Sequence, residues 1–147
     1  MYCIPRGLRF ADVNGDGLDD AICISPTGDL HASINNGDGS GSKLPTFTYK
    51  GQIKSGEAPQ ARIRLGDIDG DGRVDYGIVQ DNGNVKWVRN GGNGDTAAFW
   101  QGLGVRAKIA MPENDIDGIR FEDINGDGRA DWMWMSVPTF LYLCGRL

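Results

Sequence analysis

The sequence predicts an all-β fold of short antiparallel strands, and three observations predict it. A nine-residue pattern occurs three times, as DVNGDGLDD from Asp12, DIDGDGRVD from Asp67 and DINGDGRAD from Asp123. The copies lie 55 and 56 residues apart, and the segments around them recur with them. Those flanking segments alternate apolar and polar residues, the period of a strand with one buried face, and no stretch holds the 3.6-residue period of a stable helix.

The elements follow in order within each repeat. A first strand runs into the Asp-rich loop, as LRFAD from Leu8, IRLGD from Ile63 and IRFED from Ile119. A second leaves it, as AICIS from Ala21 and YGIVQ from Tyr76, and ends in the turn sequences PTGD and DNGN. A third, DLHASINNG from Asp29 and NVKWVRNGG from Asn84, closes on Asn-Gly, a turn dipeptide. The fourth is the apolar segment around TYKG at 48–51 and FWQG at 99–102. Four short strands in a unit of this length are the signature of a propeller blade. The expectation is therefore β-propeller-like blades of four antiparallel strands, about two and a half repeats, in an incomplete propeller. A single repeat domain spans 1–147, with repeats at approximately 8–62, 63–118 and 119–147.

The repeated pattern carries chemistry. Each copy has Asp at position 1, Asp or Asn at 3, Asp at 5, Gly at 6 and Asp at 9. A hard cation such as Ca2+ takes six to eight oxygens at about 2.3–2.6 Å, which alternate residues of a tight turn can supply. The glycine permits the positive φ that lets the chain wrap an ion. A helix–loop–helix site would close with a bidentate Glu at position 12. Here position 12 is Cys23, Ile78 or Trp134, so the loops close at position 9, on Asp20, Asp75 and Asp131.

On these residues the chain resembles the calcium loops of the FG-GAP/VCBS repeat families, found in integrin-like propellers and in fungal lectin-type propellers. The resemblance implies up to three Ca2+ ions. Side-chain ligands would be Asp12, Asn14, Asp16 and Asp20; then Asp67, Asp69, Asp71 and Asp75; then Asp123, Asn125, Asp127 and Asp131. The backbone carbonyls of Leu18, Arg73 and Arg129 would complete the shells. With four acidic side chains against three, the second loop is expected to bind most tightly.

Composition agrees with a metal-loaded chain. The formal charge is −5, yet ten of the twenty acidic residues are candidate ligands in these loops, and three Ca2+ ions would bring the loaded chain to +1. The acidity argues against nucleic acid as a partner, and no apolar run approaches the roughly 20 residues of a membrane span. Loops without a bidentate Glu bind weakly, extracellular modules at about 10^-4 to 10^-3 M, so a calcium-rich, extracellular location is expected for the parent protein.

Length sets the organisation. Propellers close with about 4–8 blades, and 147 residues supply two blades and the start of a third. After Met135 the pattern departs, and an apolar FLYLC stands in place of the expected polar edge. The chain reads as a piece of a longer repeat protein; the rival is self-association of incomplete blades into a ring. Three cysteines, Cys3, Cys23 and Cys144, are an odd count. Cys23 stands where the other repeats have Ile78 and Trp134 and reads as core filler, with a Cys3–Cys23 bridge as the alternative.

Catalytic patterns are scarce: the sequence holds no G-x-S-x-G, no P-loop and a single histidine, His31. Arg9, Arg64 and Arg120 precede each loop by three residues, a recurrence that favours a structural role at nearby carboxylates or carbonyls over anion binding. Trp100 and Tyr49, at matching places before Gln-Gly and Lys-Gly, and Trp87 on a third strand are the candidate ligand surface, since such rings stack on sugars; inter-blade packing is the competing reading. The expected function is a calcium-binding repeat module with a non-catalytic role in carbohydrate or extracellular protein recognition. The alternatives are an accessory region of a secreted SGNH/GDSL-type hydrolase, as the resemblance suggests, or a truncated fragment with no activity of its own.

Overall fold

The computed structural model describes residues 3–42, 44–107 and 116–135. Ten strands form three antiparallel sheets with no α-helix among the described residues. The first blade holds β1 (Leu8–Ala11), β2 (Asp20–Ile24), β3 (Leu30–Asn35) and β4 (Phe47–Lys54). The second holds β5 (Ile63–Gly66), β6 (Asp75–Val79), β7 (Val85–Gly91) and β8 (Phe99–Ala107). Both are simple meanders, each strand paired to the next. The third begins with β9 (Ile119–Glu122) paired to β10 (Asp131–Trp134). The residues after Met135, with FLYLC and Cys144, lie outside the described residues. Among the described residues the chain thus holds two four-stranded blades and one strand pair, the all-β, propeller-like architecture expected.

Alternation along the strands builds the blade-to-blade cores. Ile22, Ile24, Leu30, Ala32 and Ile34 of the first blade pack with Ile63, Tyr76 and Val88 of the second. The opposite face of the second blade, Val79, Val85 and Trp87, meets Ile119 and Phe121 of the third. Volume is traded across strand pairs at fixed register. Ile22 faces Ala32 in the first blade, whereas Gly77 faces Trp87 in the second. A Cβ on Gly77 would stand 2.9 Å from the Trp87 ring, so the missing side chain is what admits the indole.

That packing corrects one expectation. Trp87 is fully buried and meets Phe121 edge-on, with ring centroids 4.8 Å apart and planes at 90°. It belongs to the core between blades and presents no surface to an external ligand.

A second correction concerns Cys23. It is bonded to Cys3, which ties the segment before the first 3-10 turn (Pro5–Gly7) to β2. Cys23 faces away from the second blade, so its sulfur is free to meet this segment rather than serve as filler between blades.

The fourth strands correct a third. Asn35 pairs with Phe47 and Asn90 with Trp100, so Trp100 corresponds to Phe47, and Tyr49 corresponds to Gly102. The loop before β4 takes eleven residues (36–46) and the one before β8 seven (92–98), which is why matching the Gly dipeptides by sequence misaligned them. The glycines that correspond are Gly51 and Gly104, both at positive φ and opposite Ala32 and Trp87.

The recurrent arginines are structural, as their spacing predicts. In each repeat Nη1 donates to two carbonyls of its own chain: Arg9 to Arg6 and Leu8, Arg64 to Ala61 and Ile63, Arg120 to Asp117 and Ile119. Arg64 also reaches the third blade, Nε donating to Ile119 O at 2.7 Å and Nη2 to Ile116 O at 2.6 Å. Burial, then the neighbouring Arg120, holds its guanidinium down at about 10. With four bonds to carbonyls it fastens blade to blade and has little capacity for an anion.

Candidate metal centres

Each Asp-rich loop joins the first strand of its blade to the second, and the three share one backbone network. Oδ1 of the position-1 aspartate accepts from the position-4 glycine: Gly15 to Asp12 at 2.6 Å, Gly70 to Asp67 at 2.7 Å, Gly126 to Asp123 at 2.7 Å. Oδ2 accepts from the position-6 glycine: Gly17 at 2.7 Å, Gly72 at 2.8 Å, Gly128 at 2.9 Å. The position-5 aspartate takes the position-7 N–H: Leu18 to Asp16, Arg73 to Asp71, Arg129 to Asp127. Both glycines of each loop hold φ between +77° and +85°. Position 4 shares with position 6 the need for a glycine, and any side chain there would be strained.

Position 9 has a second task that the sequence does not announce. Asp20 and Asp75 are fully buried. Asp75 accepts from Ile68 N at 3.1 Å and from Asn90 N at 2.8 Å; Asp20 accepts from Val13 N at 2.9 Å and from Asn35 N at 2.8 Å. These aspartates tie the loop to the third strand of their own blade. Burial pushes the Asp75 carboxyl up to about 7 despite those two donors, and burial raises Asp20 as well. Asp131 repeats the position-2 contact, taking Ile124 N at 3.2 Å.

The Asn residues before the third-strand turns prove to be clamps. Asn90 is fully buried, and its Nδ2 donates to Val74 O at 3.2 Å and to Val13 O, in the preceding loop, at 2.8 Å. Asn35 makes the equivalent contact within its own blade, to Asp19 O at 3.0 Å. Their recurrence in sequence is visible, but a turn dipeptide explains it equally well.

The donor set fits a hard cation. Asp67, Asp69 and Asp71 each offer an oxygen, and these lie within 4.8 Å of one another. Oxygens about 2.3–2.6 Å from one centre lie no more than about 5 Å apart, so one ion can touch all three. Oxygen-only donors favour Ca2+ or Mg2+ over softer metals. Asp75 stands outside this trio. In the first and third loops Asn14 and Asn125 take position 3, and Asn14 Nδ2 donates to Asp16 Oδ2 at 2.9 Å.

Of the candidate ligand residues, Trp100 is half-buried at the blade interface, its Nε1 donating to Ile53 O at 2.8 Å and its ring beneath the Lys54 ammonium at 5.6 Å. Tyr49 is 51% exposed on the outward face of the first blade, and its hydroxyl shares a 3.1 Å hydrogen bond with His31 Nδ1. The two do not form one surface.

A family model for the FG-GAP-like repeat matches the chain twice, at residues 12–78 and 67–134. Each match begins at the first aspartate of a loop and runs through the next loop into the strand beyond it. No curated protein and no solved structure matches the chain.

Proposed function

Because the chain belongs to the FG-GAP-like repeat family, we propose that it is a non-catalytic binding module whose blades are organised by Ca2+. The observation that carries this reading is the loop network, whose amide contacts from positions 4, 6 and 7 recur in all three copies, with oxygens of Asp67, Asp69 and Asp71 converging in the second. The same residue types at positions 1, 3 and 5 would hold the ion in the other two loops. The bound ion supplies positive charge among carboxylates that otherwise repel one another. The loops also carry some of the hydrogen bonds between blades, Val74 to Asp12 and Ala130 to Asp67, so filling them stabilises the array and not only the turn. The Cys3–Cys23 bond fits an exported protein, since such bonds persist in oxidising compartments.

Recognition without turnover fits a sequence that offers no nucleophile–base motif. Tyr49 on the outward face of the first blade leads the surfaces for a glycan or an extracellular protein, and half-buried Trp100 is secondary.

The test is thermal unfolding in chelator, in Ca2+ and in Mg2+. At about 2 mM Ca2+ and a Kd of about 10^-4 M, each filled loop stabilises by about 1.8 kcal/mol. Three loops together are comparable with the whole stability of a small domain, so a large rise in Tm with Ca2+ is expected. A Tm that neither chelator nor Ca2+ moves would contradict the proposal.

A further inference from the structure

The second loop differs from the first in one respect that the repeat pattern conceals. Arg89, on β7, lies against its two central aspartates: Nε is 2.5 Å from Asp69 Oδ2, and Nη2 donates to Asp71 Oδ2 at 2.9 Å. The other oxygens of those carboxylates serve the backbone, Asp71 Oδ1 accepting from Arg73 N at 3.0 Å and Asp69 Oδ1 from Asp71 N at 3.3 Å. The guanidinium therefore holds the two oxygens that the loop leaves over for a cation. In the first blade the same position of the third strand is Ile34, a buried core residue with no charge to offer.

We infer that Arg89 is a resident counter-cation of the second loop, occupying Asp69 and Asp71 until a divalent cation displaces it from the same oxygens. This inference rests on the Ca2+ reading of the loops. Its physical basis is exchange. A guanidinium neutralises one unit of the carboxylate charge in a fixed planar geometry, so a metal must both displace that contact and bear the repulsion of the arginine it leaves nearby. The fourth acidic ligand position of this loop is thereby offset by one positive side chain, and the formal balance over the ligand positions falls to that of the first loop, with Asp12, Asp16, Asp20 and Asn14. Exchange also filters cations. A monovalent ion gains too little from two carboxylates to expel a guanidinium, whereas a divalent ion gains from both at once. The second loop then discriminates more sharply for divalent ions than the first, where no arginine competes.

The test is a Ca2+ titration of the full chain followed by amide NMR, because each loop carries its own reporter. Gly17, Gly72 and Gly128 each donate to the first aspartate of one loop. Arg89→Met keeps the aliphatic stem and removes the charge; Arg89→Lys keeps the charge without the two-pronged geometry. The expected result is a Gly72 midpoint shifted to roughly five- to tenfold lower Ca2+ in Arg89→Met, a smaller shift in Arg89→Lys, and unmoved midpoints at Gly17 and Gly128. A Gly72 midpoint that stays in place, or moves to higher Ca2+ while the other two titrate normally, overturns the role of Arg89 and leaves the Ca2+ reading standing. Silence at all three glycines in the parent chain overturns both.

Discussion

Val74 donates its amide hydrogen to the carbonyl oxygen of Asp12 at 2.7 Å, joining position 8 of the second loop to position 1 of the first. Ala130 repeats the bond to Asp67 at 2.6 Å. Beside each, the position-7 arginine of one loop lies over the position-4 glycine of the loop before it: a Cβ on Gly15 would stand 3.3 Å from Arg73 Cγ, and one on Gly70 would stand 3.1 Å from Arg129 Cγ. The loops are therefore not isolated turns on separate blades. They form one hydrogen-bonded column, and whatever orders one loop bears on its neighbour.

Asp75 should be worth more to stability than its counterpart in the third loop. Its carboxylate satisfies the buried N–H of Asn90 and the N–H of Ile68. Asp75→Ala orphans both, at a cost of roughly 1–3 kcal/mol per buried donor. Asp131→Ala should cost less, because the Ile124 it serves is 62% exposed and its N–H can turn to water. Chemical denaturation of both variants in chelator checks the order; equal losses would show that the buried contacts do not set the difference.

Trp87→Ala should destabilise the chain by about 3–5 kcal/mol, the range for removing a large buried aromatic. The loss falls on the contact with Phe121 and on the cleft that Gly77 leaves for the indole. Denaturant midpoints measure it. A loss below about 1 kcal/mol would mean that the second and third blades are not packed through this ring.

Reducing the Cys3–Cys23 bond should lower stability by about 3 kcal/mol, the loop-closure estimate for a sequence separation of 20 residues. Cys3→Ser should reproduce the effect of reductant, and reductant should then do nothing further to that variant. An additional loss in Cys3→Ser with reductant would implicate a different disulfide.

Much of this was legible in the sequence. The Asp/Gly pattern fixes a local backbone, so the loops, their glycines and the strands on either side follow from short-range chemistry. The arginines at position −3 were readable for the same reason, since they bond to carbonyls within three residues. What stayed hidden depends on partners far along the chain. Arg89 meets Asp71 from 18 residues away, and Asn90 meets Val13 from 77. The pairing of Trp100 with Asn90 turns on a loop length that no local propensity encodes. The Cys3–Cys23 bridge is only the alternative in the sequence because only the fold shows which face of β2 carries Cys23.

The turn between β2 and β3 offers a titration with a defined sign. Asp29 accepts from Gly56 N at 2.7 Å, Thr27 Oγ1 at 2.7 Å and Ser25 Oγ at 2.9 Å. These bonds, led by the Gly56 amide, hold its carboxyl down at about 2. A depressed folded pKa means that its contribution is complete above the unfolded value of about 3.9 and is lost as pH falls through about 2. Carboxyl-carbon NMR of Asp29 should show a midpoint near 2; a midpoint near 4 would mean that these three bonds do not hold in solution.

The most direct measure of the central claim is calorimetric titration of chelator-stripped protein with Ca2+. The loops predict saturable binding of up to three ions, at affinities in the range of about 10^-4 to 10^-3 M for extracellular modules or tighter. Asp12→Ala, Asp67→Ala and Asp123→Ala should each remove one ion from the stoichiometry. No binding heat at millimolar Ca2+, or a stoichiometry that none of the three substitutions lowers, would contradict the account.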